Sequence, residues 1–194
     1  MALSNDFFIK KIKVNNSYAF VSFIGEVDGF FYWGTRSSVS TNKLTLIKTN
    51  SNLELISVTS YGNGEISYGF LKSIVRTANG DRLIAGHYHN IDAEQSDKYC
   101  IIKLDSNDNM VWFKTYEHEP DIYDSYKVEL KPNGANYLVW ANNLLFTIND
   151  SGTVLNSTVE TSSVSVQDVV ADGSGQIVAV GNGNTFPSGR RGVV

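Results

Sequence analysis

The segment Ile47-Lys48-Thr49-Asn50-Ser51-Asn52, with Ile56 and Tyr61 after it, returns 55 positions later as Ile102-Lys103-Leu104-Asp105-Ser106-Asn107, with Val111 and Tyr116 in the matching places. A third, looser copy runs Phe146-Thr147-Ile148-Asn149-Asp150-Ser151-Gly152-Thr153-Val154-Leu155, which sets Ile148 opposite Leu104 and Leu155 opposite Val111 without a gap. Each copy is an alternating apolar strand, a short Asn/Asp/Ser/Gly cluster and a second apolar strand, the pattern of a β-hairpin. A chain that repeats one supersecondary unit at such a period is built to stack copies of it.

A second hairpin type alternates with the first. It reads Ser22 to Gly34, Ile74 to Gly86, Val128 to Trp140 and Val169 to Gly181. Asp28-Gly29, Asn79-Gly80 and Asn133-Gly134 mark its turns, where tight hairpins need positive φ. Gly34, Gly86 and Gly181 align at the far end of the following strand, where space for a side chain is expected to be short. No window keeps a 3.6-residue apolar stripe for three turns, so helices are not expected. Two hairpins per unit make a four-stranded antiparallel blade. An ordinary β-sandwich does not account for two hairpin types in strict alternation.

The expected fold class is therefore all-β, a β-propeller of about three complete four-stranded blades plus part of a fourth. The region is one unit over residues 1–194, with blades at 15–61, 62–116, 117–160 and an incomplete 161–194. Residues 6–14 read as an outer strand available to close a ring. Arg191-Gly192-Val193-Val194 stands where Tyr99-Cys100-Ile101-Ile102 stands in the second blade, and the expectation is that the chain is a section of a larger propeller.

The composite of an Asn-Gly turn, a Gly-terminated strand, a variable loop and then Asp97-Lys98-Tyr99-Cys100-Ile101-Ile102-Lys103-Leu104-Asp105 leading to Val111-Trp112-Phe113-Lys114 resembles bacterial β-propeller repeat proteins. In those proteins a Lys-Leu-Asp strand, a turn and a Trp-bearing strand recur in each blade. The resemblance is closest over 68–116 and weaker over 44–61 and 146–160, where Ser57 and Asn156 stand in place of Trp112. It implies a scaffold and brings no catalytic residues with it.

Charge and cysteine content remove several function classes. Sixteen Lys plus Arg against twenty Asp plus Glu give a net charge of −4 spread along the chain, so no basic groove for nucleic acid is expected. A single cysteine, Cys100, cannot form an intramolecular disulfide or supply a zinc framework. With 42% hydrophobic residues, the fold must rest on packing. The N-terminal Phe7-Phe8-Ile9-Lys10-Lys11-Ile12-Lys13-Val14 is broken by charge before a signal-peptide core forms, and no apolar run is long enough to span a bilayer. Cytoplasmic synthesis is expected, with release in a phage-tail-like or contractile particle as one route outward.

The chemical candidates are few. His87-Tyr88-His89 places two imidazoles on one strand face, with Asp92, Glu94 and Asp97 following, but the run enters a polar loop and a solvated role outweighs a metal site. Asp105-Ser106-Asn107-Asp108-Asn109 begins like a calcium loop, yet Met110 occupies the glycine position and no bidentate Glu follows, so a turn bonding its own backbone is expected. There is no Gly-x-Ser-x-Gly elbow and no phosphate-binding loop, and Gly181-Asn182-Gly183-Asn184 leads into no helix. Cys100 reads as a small buried hydrophobe. No catalytic residue, cofactor or metal is assigned.

Aromatic side chains remain. Alternation along Phe30-Phe31-Tyr32-Trp33 puts Phe31 and Trp33 on one face and Phe30 and Tyr32 on the other, one in the core and one between neighbouring blades or exposed to a partner. Tyr116, His118, Glu119, Asp121, Tyr123 and Asp124 form an acidic, Tyr-containing stretch. Trp33, Tyr32, Tyr116 and Tyr123 are the candidate interaction residues. The function expected is a non-enzymatic structural or interaction module within a larger bacterial assembly, its partners other protein subunits. The alternative is an adhesin for a surface glycan or receptor; an enzyme with a central-channel site ranks last.

Overall fold

A computed structural model of the chain describes residues 21–35, 43–61, 66–90, 97–116, 128–141, 144–159, 165–171 and 177–182. These contain fourteen strands and are arranged as three four-stranded antiparallel sheets and one two-stranded sheet. The first sheet is β1 (Val21–Val27), β2 (Phe30–Thr35), β3 (Leu44–Thr49) and β4 (Leu55–Tyr61). The second is β5 (Ile66–Arg76), β6 (Arg82–Asn90), β7 (Asp97–Leu104) and β8 (Met110–Tyr116). The third is β9 (Val128–Asn133), β10 (Asn136–Ala141), β11 (Leu144–Ile148) and β12 (Val154–Val159), followed by the pair β13 (Ser165–Ala171) and β14 (Ile177–Asn182). In each four-stranded sheet, neighbours in sequence are neighbours in space.

The sheets stack face to face, head to tail. From the first sheet Tyr32, Leu44 and Leu46 pack with Leu71, Ile84, Ile102 and Leu104 of the second. From the opposite face of the second sheet, Leu83, Ala85, Tyr99 and Ile101 pack with Val139, Phe146 and Ile148 of the third. Leu138, Trp140 and Leu145 on the third sheet's far face meet Val169 and Ile177 of the last pair. The repeat-equivalent residues Leu46, Ile101 and Leu145 thus always face the next sheet, while Ile102 and Phe146 face the preceding one. Both faces of the inner sheets are covered, and this is why Tyr137 to Ala141 is buried at every position instead of alternating.

Local sequence sets the hairpins. Asp28 and Gly29 form a two-residue loop with φ of 54° and 77°, the twist-compatible turn that joins Val27 to Phe30. The hairpins β3–β4, β7–β8 and β11–β12 share one turn. In each, the first Asx side chain, from Asn50, Asp105 or Asn149, accepts from the backbone N–H groups two and four residues on. The fourth position then takes a left-handed φ, of 60° at Leu53, 66° at Asp108 and 74° at Gly152. Each of these hairpins also carries a register shift beside the turn.

The glycine alignment is off by one residue. β2 pairs Gly34 with Leu46, whereas β6 pairs Gly86 with Cys100, although Leu46 is the repeat equivalent of Ile101. The loop between β5 and β6 differs as well, holding the five residues Thr77–Asp81 where the first sheet has two. Space is nonetheless short at both. A Cβ on Gly34 would overlap the carbonyl oxygen of Leu71 in the second sheet, so this glycine sets how closely the two sheets approach.

Candidate interaction surface

The strongest polar construction lies between sheets, at the end carrying the tight turns. Lys48 projects from the C-terminal end of β3 towards the second sheet, where its Nζ donates to Asp108 Oδ2 at 2.7 Å. Arg82, at the start of β6, donates from Nη1 to Asp108 Oδ1 at 2.8 Å and to the Asp105 carbonyl oxygen at 3.0 Å. Its Nη2 lies 3.9 Å from Asp28, which also holds Arg76 Nε at 2.9 Å. The side chains of Lys48, Asp108 and Arg82 are only 12%, 18% and 5% exposed, so one carboxylate bridges two nearly buried cations, with Asp28 as a second counter-charge for Arg82.

Aromatic rings complete this enclosure. Lys48 Nζ stands 4.4 Å from the Phe30 ring centre and 5.7 Å from that of Tyr32, and the Arg82 guanidinium lies 5.8 Å from Tyr32. Burial, with Asp108 adding to it, raises the Tyr32 phenol above its usual range and pushes Tyr61 up to about 12. Tyr61 donates to the Asp108 carbonyl oxygen at 3.4 Å.

The next interface repeats the device with altered positions. Lys103, the repeat equivalent of Lys48, reaches Asp150 Oδ2 at 2.5 Å and Asp81 Oδ2 at 3.2 Å. Burial opposes the Lys103 charge, but hydrogen bonds to Asp150 and Asp81 outweigh it and raise its pKa. At the third interface the equivalent position is Thr147, and Lys131 pairs with Asp168 instead.

The sequence-predicted residues divide. Tyr32 is fully buried on the face towards the second sheet and offers nothing to an outside partner. Its burial follows from stacking, which covers the Phe30 and Tyr32 face. Trp33 lies on the opposite face, half-buried, its Nε1 donating to Thr49 Oγ1 at 3.2 Å, with the exposed Phe23 ring edge-on at 5.4 Å. Phe31 joins the same cluster, 6.0 Å from Phe23.

Tyr116 ends β8 and packs between the second and third sheets, its ring 5.1 Å from Phe146 and its hydroxyl donating to the Gly152 carbonyl oxygen at 2.9 Å. Burial pushes its phenol up to about 12. It lines a cleft of about 340 Å³ with Thr115, Leu144, Phe146, Val154 and Ser157, whose hydroxyls and rings suit a small polar-aromatic contact. Tyr123, His118, the expected ring-closing strand at 6–14 and the segment 183–194 lie outside the described residues.

His87 is buried on β6, its ring 5.4 Å from Phe70, while Asp92 and Glu94 lie outside the described residues. Among the described residues no group of three or more His, Cys, Asp or Glu side chains is placed to hold a metal ion. The would-be calcium ligands are otherwise engaged. Asp105 accepts from Asn107 and Asn109 of its own turn, and Asp108 holds the two cations. Cys100 is fully buried in the first interface, and burial pushes its thiol far up.

Sequence reasoning missed the lysine ladder. Its signal was present: a lysine at the same place in two otherwise apolar strands, Ile47-Lys48-Thr49 and Ile102-Lys103-Leu104, is costly to bury unless a carboxylate meets it. Compared with known proteins, the chain matches no protein-family model and no curated protein.

Proposed function

We propose that the chain is a non-enzymatic structural and interaction module whose sheets are β-propeller blades, working within a larger bacterial assembly. The observation that carries this reading is the head-to-tail stacking: the same pair of opposed faces meets at the first interface and again at the second, and the third sheet's forward face continues onto β13 and β14. A stack with one repeated operation has a forward face and a receiving face at its two ends. On the first sheet the receiving face holds Phe23, Trp33, Ile47 and Val58 in one cross-strand row, and in a ring the last blade seats there. The buried charges are consumed in joining sheets, which suits a scaffold better than a reaction centre.

The test is the native mass and subunit composition of the protein isolated from its source, followed by imaging of the particle. Co-migration with other subunits, with the Trp33 face covered by a further sheet, is the expected result. A free species of the chain's own mass, with that face open to solvent, refutes the reading. A second reading, a glycan-binding adhesin, draws on the exposed Phe23 ring beside Trp33. A glycan array with wild type and Trp33→Ala separates the two, since the scaffold reading expects no glycan signal from either.

A further inference from the structure

Each of the first two interfaces is fastened by side chains that grip the turn of the following sheet. Tyr61 ends β4 and Tyr116 ends β8, at equivalent places in the repeat. Tyr61 donates to the Asp108 carbonyl oxygen at 3.4 Å and Tyr116 to that of Gly152 at 2.9 Å, in both cases the left-handed fourth position of the next turn. Lys48 and Lys103, also equivalents, reach carboxylates on those same turns, Asp108 and Asp150. Lys114 adds a bond to the Ser151 carbonyl oxygen at 2.7 Å at the second interface.

The third sheet carries neither fastening. Thr147 stands at the lysine's place, and the sequence puts Glu160, which lies outside the described residues, at the tyrosine's. A threonine hydroxyl does not have a lysine's reach, and an ionised carboxylate has no proton to donate to a turn carbonyl. The apolar contacts of Leu138, Trp140 and Leu145 with Val169 and Ile177 remain. Among the described residues the ion pair across this interface is Lys131 with Asp168, 28% and 54% exposed, where Lys48 and Lys103 are 12% and 8% exposed. A pair that wet adds little.

In a stack of repeats each unit is held by its neighbours alone, so the least fastened interface parts first. We propose that the interface between the third sheet and the β13–β14 pair is a built-in seam. The last pair lifts away there while the first three sheets stay joined, uncovering the apolar face of Leu138, Trp140 and Leu145. The seam goes beyond the scaffold reading and rests on the packing of the sheets, so the native composition of any assembly does not bear on it.

Thiol labelling of the full chain tests it. Cys100, the single cysteine, is fully buried between the first and second sheets and is the internal reference. Val169→Cys puts a second thiol at a position 1% exposed in the third interface. The variant is pulsed with iodoacetamide in urea below its unfolding midpoint, each site is read by peptide mass spectrometry, and each rate is divided by its value in the unfolded chain. Position 169 should label at least about tenfold faster than Cys100. Hydrogen exchange of the wild type removes the substitution from the comparison, with β13 and β14 amides expected to exchange ahead of those in β6 and β10. Lys48→Met with Tyr61→Phe unfastens the first interface, and Cys100 should then label about tenfold faster at the same distance below the midpoint. Labelling of both thiols only across global unfolding, or wild-type exchange that is equal in all four strands, overturns the seam, since the sheets then open together. A Cys100 rate indifferent to the loss of Lys48 and Tyr61 overturns it as well, because the fastenings then do not set which interface parts.

Discussion

Replacing Asp108 by Asn removes one negative charge from between Lys48 and Arg82 and changes little else. Asn tolerates the left-handed φ of 66° at this position, and its amide oxygen still accepts one hydrogen bond. The two cations, 12% and 5% exposed, are then left together, with Asp28 3.9 Å from Arg82 as the nearest remaining counter-charge. Breaking a buried pair by removing one partner costs about 3 to 5 kcal/mol. Asp108 is itself 18% exposed, so the low end applies, about 3 kcal/mol. For a chain of this size that lowers Tm by roughly 6 to 12 °C.

Lys48→Met should cost only about 1 kcal/mol, because Arg82 continues to neutralise Asp108. The double variant should then be less harmful than the sum by about 1 to 2 kcal/mol. Urea unfolding at constant m measures all three. Since the cluster is enclosed, the Asp108→Asn loss should change little between about 0.05 and 0.5 M NaCl. A loss below about 1 kcal/mol, or one that salt halves, would mean a solvated cluster that does not join the first two sheets.

Three further outcomes follow from individual contacts. Asp105→Asn should lower the pH 7 urea midpoint slightly, because Asn50 and Asn149 show that an amide makes the same turn while the bond from the Asn109 side chain to the second carboxylate oxygen is lost. Hydrogen bonds from Asn109, side chain first and backbone next, hold the Asp105 carboxyl below its usual value. The stability this confers is present above the unfolded carboxyl's titration near pH 3.9 and is lost as pH falls through the lower folded value. The variant should therefore unfold less steeply with acid than wild type. Gly34→Ala should cost about 2 to 3 kcal/mol by forcing the first two sheets apart at Leu71, measured by the same urea unfolding. Cys100 should resist iodoacetamide at pH 8 in the native protein and react once urea unfolds it, read by mass spectrometry.

Strand pairing was legible in the sequence because hairpins are local: turn chemistry and alternation sit within a dozen residues of each other. The order of strands within each four-stranded sheet follows directly from the two alternating hairpin types. What the repeat hid was register. Matching glycines at Gly34 and Gly86 masked the longer Thr77–Asp81 loop, because an aligned glycine looks the same whether or not the loop before it has grown. Alternation gives Tyr32 a face but does not say whether a neighbouring sheet or an outside partner covers it. Only stacking decides that, and it is a long-range property. Tyr116 adjoins an acidic stretch in the sequence, yet its ring closes an interface with a sheet formed some 30 residues later in the chain.

A chain of similar sheets faces a choice at every interface, since the wrong sheet can present nearly the same apolar face. Misassembly of this kind is a characteristic failure of repeat proteins. Here the charges differ where the apolar residues do not. Lys48 meets a carboxylate at the fourth turn position, Asp108, whereas Lys103 meets one at the second, Asp150. The first sheet's own turn offers Ser51 and Leu53 at those two places, so Lys103 docked there would lose the carboxylate of the neighbouring sheet and keep only Asp81 of its own. Thr147, in the third sheet, removes the lysine from the interface that follows and hands the pairing to Lys131 and Asp168. Apolar burial supplies most of the attraction between any two sheets. The loss of a nearly buried ion pair then falls on the mismatched pair, which favours stacking in sequence order.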